Sequence, residues 1–303
     1  MKPGRPGTMR GMMLEHLLGV LFDGIAYGSL LFLISVGLSV TMGLMNFINL
    51  AHGAFAMFGG YVAVWAMNRM GVPFLASLPL AFLCSAIAGI VLEQLLYRHL
   101  YHAKPLDQVL FSIGLTFMAM AGATYVWGSS QQPVNLPPWL MGQVSLFGLE
   151  VGRYRLFLIA FVIVIAAALG YVVGRTRFGA QLRAAVDNRE VAGGLGINVK
   201  LLFTLTFALG SGLAGLGGGL GVEVLGLDPV FPVKYMVYFL LVVVVGGAGT
   251  MRGPLYASLL LGLFDVAGKY YLPDYGAFII YGLMVLLPLL RLLFPAGLLG
   301  RRA

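Results

Sequence analysis

The sequence predicts an all-α polytopic membrane protein with about 8–9 transmembrane helices, one of them broken or re-entrant. Three observations carry this expectation. Of 303 residues, 60% are hydrophobic and only 10% are charged, against about 25% charged in a soluble domain, too few to cover the surface of a soluble protein of this length. Apolar runs recur near residues 14–41, 50–67, 72–97, 106–127, 156–174, 201–226, 235–250, 254–272 and 276–294, and several approach the roughly 20 residues that cross a bilayer as a helix. No strand-like alternation recurs at the spacing of a membrane barrel. Backbone polar groups in lipid must be satisfied within the segment, so the spans are helical.

The chain divides into an N-terminal tail, 1–13, and a single transmembrane domain, 14–303, with a long cytoplasmic loop at 175–200. The first apolar run is longer than the roughly 7–15 residues of a signal-peptide core, and no small-x-small cleavage site closes it, so it reads as a retained helix. The net charge of +8 sits between the apolar runs. Such charge marks cytoplasmic loops and calls for no nucleic-acid partner. Cys84 is the single cysteine, which excludes an intrachain disulfide and a thiolate metal site.

Lys and Arg set the orientation. The 174–200 loop holds Arg175, Arg177, Arg183, Arg189 and Lys200, and the C-terminus holds Arg291, Arg301 and Arg302. Four runs separate them, so both fall on the cytoplasmic side, with 98–105 inside and 128–155 outside. The tail disagrees: nine crossings put Lys2, Arg5 and Arg10 outside. A re-entrant or broken segment within 43–67 would resolve this, because such backbone is tolerated where it is buried in protein or lines a cavity.

That segment, "GLMNFINLAHGAFAMFGGY" (43–61), concentrates polar groups in an apolar region. Placed on a helix at about 100° per residue, Asn46, Asn49, Gly53, Ala56 and Gly60 share one side, with His52 at its border. Phe47, Phe55 and Phe58 face lipid or core. One reading makes Asn46, Asn49, His52 and Gly53 the lining of a substrate pathway. The other makes the two Asn helix caps and gives His52 a backbone carbonyl. The two are evenly weighted for the Asn residues, and His52 leans to the structural one.

The loop "RTRFGAQLRAAVDNREVAGGLGINVK" (175–200) carries two short helices. Leu182, Ala185 and Val186 form an apolar stripe, and Arg183 and Asp187 are spaced i,i+4. Asn188 caps the second helix, Glu190 stands in its first turn, and Gly193, Gly194 and Gly196 stop it. This pattern suits docking to another protein better than a bare positive loop. Two glycine clusters follow. Gly210-x-Gly212-x-x-Gly215 matches a dinucleotide fingerprint in form but has no strand before it, and in an apolar run its small residues let helix backbones approach. Glu223 and Asp228 fall near the outer end of that run, at the interface; a role at the outer mouth is the weaker reading. Gly246, Gly247, Gly249, Gly253 and Pro254 form a tight inside turn anchored by Arg252. No phosphate-binding loop is present, His16, His52, His99 and His102 form no metal cluster, and no catalytic constellation can be assembled. Neither a cofactor nor an enzyme activity is expected.

Taken together, "MNFINLAHGAFAMFGGY", "FGAQLRAAVDNREVAGGLGINV", "VVVGGAGTMRGPL" and the terminal "FPAGLLGRR" resemble the LivH-type permease subunit of branched-chain amino acid ABC importers, over nearly the whole chain and in the right order. The resemblance implies a multi-pass permease in a prokaryotic plasma membrane, with its C-terminus cytoplasmic. It implies a second related permease subunit, two cytoplasmic ATPase subunits and an extracytoplasmic solute-binding protein, with a small amino acid or related solute as cargo. It makes the 175–200 loop the ATPase-coupling segment, with Arg183, Asp187, Asn188, Arg189, Glu190 and Gly196 at its centre. Asp187-Asn188-Arg189-Glu190 stands where members often have glutamate, asparagine and proline. Glu223, Asp228 and Lys234 add charge that leaves the solute open among amino acids, urea, amides and aromatic acids. A stand-alone secondary transporter or channel is the alternative. It would require paired broken helices and ionisable groups mid-span; the sequence offers one break, and Asp23 and Glu93 come closest as carboxylates.

Overall fold

The computed structural model describes residues 9–45, 47–101, 103–146 and 149–293. Eleven α-helices are described: α1 (Met9–Met45), α2 (His52–Met70), α3 (Phe74–Leu95), α4 (Pro105–Trp127), α5 (Arg153–Arg175), α6 (Arg177–Asp187), α7 (Arg189–Gly194), α8 (Val199–Leu225), α9 (Phe231–Gly246), α10 (Arg252–Tyr271) and α11 (Gly276–Leu293). The nine long ones fall on the nine apolar runs. Five of them, α1, α3, α4, α5 and α8, are long and apolar enough to span a bilayer by composition alone. A two-stranded hairpin, β1 (Gln143–Leu146) and β2 (Leu149–Gly152), pairs Val144 with Val151 between α4 and α5. Sequence reading did not find it, because four-residue strands carry too few alternations to register.

The helices alternate between two ends. At one end, Asn68 of α2 donates to Pro133 O (3.2 Å) and accepts from Asn135 (3.0 Å). Tyr270 of α10 meets His16 of α1 at 2.9 Å, and Arg155 of α5 pairs with Asp23 of α1. At the other end, Ser39 Oγ donates to the carbonyls of Gly247 (3.1 Å) and Thr250 (3.0 Å), and Gly249 N–H donates back to Ser39 O (2.8 Å). This second end also holds the turn after α3 and the α6–α7 pair. Arg98, Lys104, Arg175, Arg177, Arg183, Arg189, Lys200 and Arg252 belong to it, and it is called the basic end below. The break expected within 43–67 lies between α1 and α2. It is not a re-entrant loop that returns the chain to the basic end: α2 runs unbroken to the opposite end, where α1 also starts. The 37 residues of α1 reach about 55 Å at 1.5 Å per residue, beyond a hydrocarbon core of about 30 Å. Accordingly Glu15, His16 and Leu17 are exposed and burial sets in near Val20. The tail 1–8, His102 and the terminal 294–303, with Arg301 and Arg302, lie outside the described residues.

At the centre stands α8, buried from Phe207 to Val222 apart from Leu209. Its glycines bring neighbouring backbones into contact. A Cβ on Gly218 would collide with Ala56 of α2, one on Gly215 with Ser85 of α3, and one on Gly37 of α1 with Gly210. A second seam joins α1 and α10, where Gly28 faces Ser258 and Gly262 faces Gly24. Helix association in lipid gains nothing from the hydrophobic effect, so it rests on this close packing. Gly218→Leu is therefore expected to separate α8 from α2, at a cost of at least the 1–3 kcal/mol typical of overpacking. A thermal-unfolding scan of the detergent-solubilised protein should show a lowered Tm and a lower yield of monodisperse protein, with Gly19→Leu, at an open position, as the unchanged control.

Candidate functional site

Two regions carry the polar chemistry. The first is the break between α1 and α2. Residues 47–51 are not helical, so the single helix projected over 46–60 is corrected: α2 begins at His52. Among the described residues, Asn49 and His52 each have a partner. Asn49 Oδ1 accepts from Ala51 N–H (3.1 Å) and from Tyr97 OH (2.9 Å), so it closes a local turn and ties the break to the segment after α3. It does not cap α2, whose N-cap is Ala51. His52 Nε2 lies 2.8 Å from Ile34 O of α1; a carbonyl only accepts, so the ring carries its proton on Nε2. Gln108 of α4 accepts from Ile48 N–H (3.5 Å) and donates to the carbonyls of Leu100 (3.2 Å) and Ala103 (3.3 Å). Irregular backbone at membrane depth is tolerated on these terms.

The small-residue side of α2 is a packing face. Gly53 abuts Pro232 at the start of α9, where a Cβ would lie 3.0 Å from Pro232 Cα, and Gly60 abuts Leu227. The Phe side turns to core: Phe47 packs on Tyr97 at 5.2 Å and Phe55 on Phe207 at 5.7 Å. Thr41, Asn49, His52, Phe55, Phe207 and Ser211 close around a narrow crevice. Asn46 lies outside the described residues. Sequence reading found no counterpart to this break, but the structure has one: residues 226–230 interrupt the chain between α8 and α9, and α9 starts against the start of α2. The two carboxylates that came closest to mid-span stand elsewhere. Asp23 pairs with Arg155 at the far end. Glu93 is held by Tyr101 OH (2.6 Å) and Thr204 Oγ1 (2.7 Å) near the basic end.

The second region is the α6–α7 pair. Asn188 Oδ1 accepts from Glu190 N–H (3.0 Å) and Val191 N–H (3.1 Å), capping α7. Gly196 takes φ +86° beyond its end, a conformation that favours glycine. Three features lay outside the sequence reading. Thr176 caps α6 by accepting from Gly179 N–H (3.2 Å) while donating to Val172 O of α5 (2.5 Å), and Asn198 caps α8 through Leu201 N–H (3.0 Å). A Thr or Asn immediately ahead of a helical pattern was the available signal. Arg183 makes no ion pair with Asp187; it donates to Val173 O at the end of α5, where the free carbonyls of a helix C-terminus attract a cation. The apolar stripe is spent inward: Leu182 and Ala185 are buried in the core. Outward-facing apolar surface comes from Val191 and Leu195, 57% and 77% exposed.

This pair rests on the glycine turn. Val186 of α6 lies against Gly249, whose φ is +78°, and Gly249 lies against Gly43 of α1. The loop helices, the glycine turn and the end of α1 just before the break thus form one contact set. Beside it, between Arg98 and His99 on one wall and Arg189, Glu190 and Lys200 on the other, opens a cleft of about 1030 Å³. Among the described residues no group of His, Cys, Asp and Glu could hold a metal ion.

The family described as branched-chain amino acid transport system / permease component matches residues 20–288. The chain is 27% identical over 299 residues to the high-affinity branched-chain amino acid transport system permease protein BraD of Pseudomonas aeruginosa, covering 94% of this chain and 96% of that one. It is 28% identical over 299 residues to the probable branched-chain amino acid transport permease protein LivH of Methanocaldococcus jannaschii, covering 93% and 92%. It is also 25% identical over 300 residues to the high-affinity branched-chain amino acid transport system permease protein LivM of Salmonella typhimurium, covering 88% and 67%.

The bonding at the break has a measurable consequence. Asn49→Leu strands Ala51 N–H and Tyr97 OH in the core, at about 1–3 kcal/mol each. Tyr97→Phe removes one donor and leaves the Asn49–Ala51 bond in place. The expected order of Tm is wild type, then Tyr97→Phe, then Asn49→Leu, read by thermal unfolding in detergent. Equal Tm for Asn49→Leu and wild type would remove Asn49 from the structural role.

Proposed function

Since the chain belongs to the family of branched-chain amino acid transport system permease components, we propose that it is the transmembrane permease subunit of an ATP-driven importer of branched-chain or related amino acids in a prokaryotic plasma membrane. In this reading the basic end is cytoplasmic by the positive-inside rule, and α11 runs toward that side. A second related permease completes the pathway, two ATPases dock at the basic end, and a solute-binding protein delivers cargo at the other. Support for the pairing comes from similarity to proteins named both LivH and LivM. ATP hydrolysis is assigned to the partners.

The observation that carries the reading is the construction of α6–α7. A docking element must be rigid toward its own chain and open toward its partner. Thr176, Arg183 and the buried Leu182–Ala185 stripe fix α6 to α5 and the core, while Arg189, Glu190, Val191 and Leu195 face outward. Arg183 therefore acts as a brace, and Asp187, Asn188, Arg189, Glu190 and Gly196 shape and present the contact. Force entering there reaches Gly249 and Gly43, and through α1 the Asn49–His52 crevice, which is assigned to the closed solute pathway with Gly53 as its packing neighbour. Asn46, outside the described residues, is kept in the proposed pathway from its place in the sequence alone.

Three outcomes test this. Reconstituted alone in vesicles, the chain should neither hydrolyse ATP nor accumulate labelled leucine; robust uptake by the single chain would sink the subunit reading. Asn188→Ala with Glu190→Ala removes the α7 cap, worth about 0.5–2 kcal/mol, too little to unfold the protein but enough to loosen the contact. In the full complex, solute-stimulated ATP hydrolysis should fall while the permease pair still inserts. Val191→Ala with Leu195→Ala should lower ATPase co-purification without changing the Tm of the permease, and unchanged co-purification would move the contact to the glycine turn.

A further inference from the structure

Five buried side-chain polar atoms lack a hydrogen-bond partner among the described residues: Ser35 Oγ, Tyr61 OH, Trp127 Nε1, Thr206 Oγ1 and Asp228 Oδ1. Three of the five belong to one place. The rings of Tyr61 and Trp127 stack with centroids 4.5 Å apart and 24° between their planes. Asp228 is within electrostatic reach of the Tyr61 hydroxyl. Three chain segments are locked together there: Gly60 of α2 abuts Leu227, and Gln132 N–H beyond α4 donates to Leu227 O (2.9 Å). Tyr61 is 1% exposed. A buried polar atom with no partner costs about 1–3 kcal/mol, so three at one locus need a cause.

Their chemistry is complementary to one kind of molecule. Tyr61 OH and Trp127 Nε1–H are neutral donors, suited to a carboxylate. Asp228 Oδ1 is a carboxylate hydrogen-bond acceptor, suited to an ammonium, and Leu227 beside them is apolar. A urea or simple amide has no cation for Asp228, and an aromatic acid has only the anion. The place is also apt. It lies at the end of the bundle opposite the coupling helices, about 12 Å along α2 from Gly53 at 1.5 Å per residue. There Gly53 and Pro232 close the two helix starts against each other. We propose that Tyr61, Trp127 and Asp228 form an outer recognition site for a zwitterionic α-amino acid, gripping it above the closed Gly53–Pro232 contact before translocation. This rests on the reading of the chain as an amino acid permease and narrows its solute class.

The test uses the complete transporter, with both permeases, the ATPases and the binding protein, in proteoliposomes, with labelled leucine as the probe. Asp228→Asn loses a charged hydrogen bond and should lower kcat/KM for uptake about 10- to 100-fold. Tyr61→Phe loses a hydrogen bond to the ligand's charged carboxylate and should lower it about tenfold. Glu223→Gln, an exposed carboxylate five residues away, should leave uptake at the wild-type rate. Leucine should quench tryptophan fluorescence of the permease–ATPase complex without binding protein, and Trp127→Phe should abolish that quench. Co-purification of the ATPases reports assembly; if Asp228→Asn fails to assemble, Tyr61→Phe and Trp127→Phe decide. Wild-type kcat/KM in assembled Tyr61→Phe and Asp228→Asn complexes would overturn the site and leave the three atoms to ordered water. A wild-type complex that transports no amino acid would instead overturn the solute reading beneath it.

Discussion

Close backbone contact between helices is the constraint on which the remainder of this protein depends. Lipid tails are as apolar as leucine, so nothing is gained by hiding a leucine face from them. What holds the bundle is contact distance, and glycine permits it where α8 meets α1, α2 and α3 and where α1 meets α10. Once α8 is seated, the break at 47–51 has a fixed position against Tyr97 and Gln108, and α9 must begin beside α2. The glycine turn then falls on Ser39 and Gly43. The bonds of Asn49, Gln108 and Ser39 occur where the helical ladder is interrupted, as the absence of water requires.

Much of this was legible in the sequence. Nine apolar runs became nine long helices, and the small residues of 210–221 foretold a helix packed by its backbone. Asn188, with Glu190 two positions on, marked the start of α7. What could not be read was direction. The projection over 46–60 put Asn49 in phase with Gly53, but the phase of a helix means nothing before the helix begins. Leu182, Ala185 and Val186 declared an apolar stripe without declaring whether it faced inward or outward; only the position of α5 and α1 settles that it faces inward. Arg183 and Asp187 had helical spacing for an ion pair, yet an exposed pair gains little, and the free carbonyl of Val173 offered Arg183 a better partner. For Tyr61, Trp127 and Asp228, 167 residues separate the first from the last, and no local pattern joins them.

Asn49 and His52 carry structural bonds beside the pathway role proposed for them. Polar residues within a membrane span suggest function. Here both bind backbone or a neighbouring hydroxyl and hold a bend in place. Their contribution to transport in the proposed reading comes through the shape they maintain, since the crevice they help to enclose is the gap between α1, α2 and α8.

The double bonding of Thr176 bears on how the two faces of the membrane are connected. Its hydroxyl is shared between Val172 at the end of α5 and Gly179 at the start of α6, so the two helices meet at a stiff corner. The other end of α5 follows directly from β2, and its Arg153 N–H donates to Gly142 O beneath the hairpin (3.1 Å). Between these joints α5 is a single uninterrupted helix of 23 residues, about 35 Å long at 1.5 Å per residue, with most of its sides turned away from the bundle. A tilt of about 5° about its middle moves each end by about 1.5 Å in opposite directions, with the length taken from the helical rise. A tilt of this helix about its middle would move the corner and the hairpin together, along the bundle's flank rather than through its packed centre.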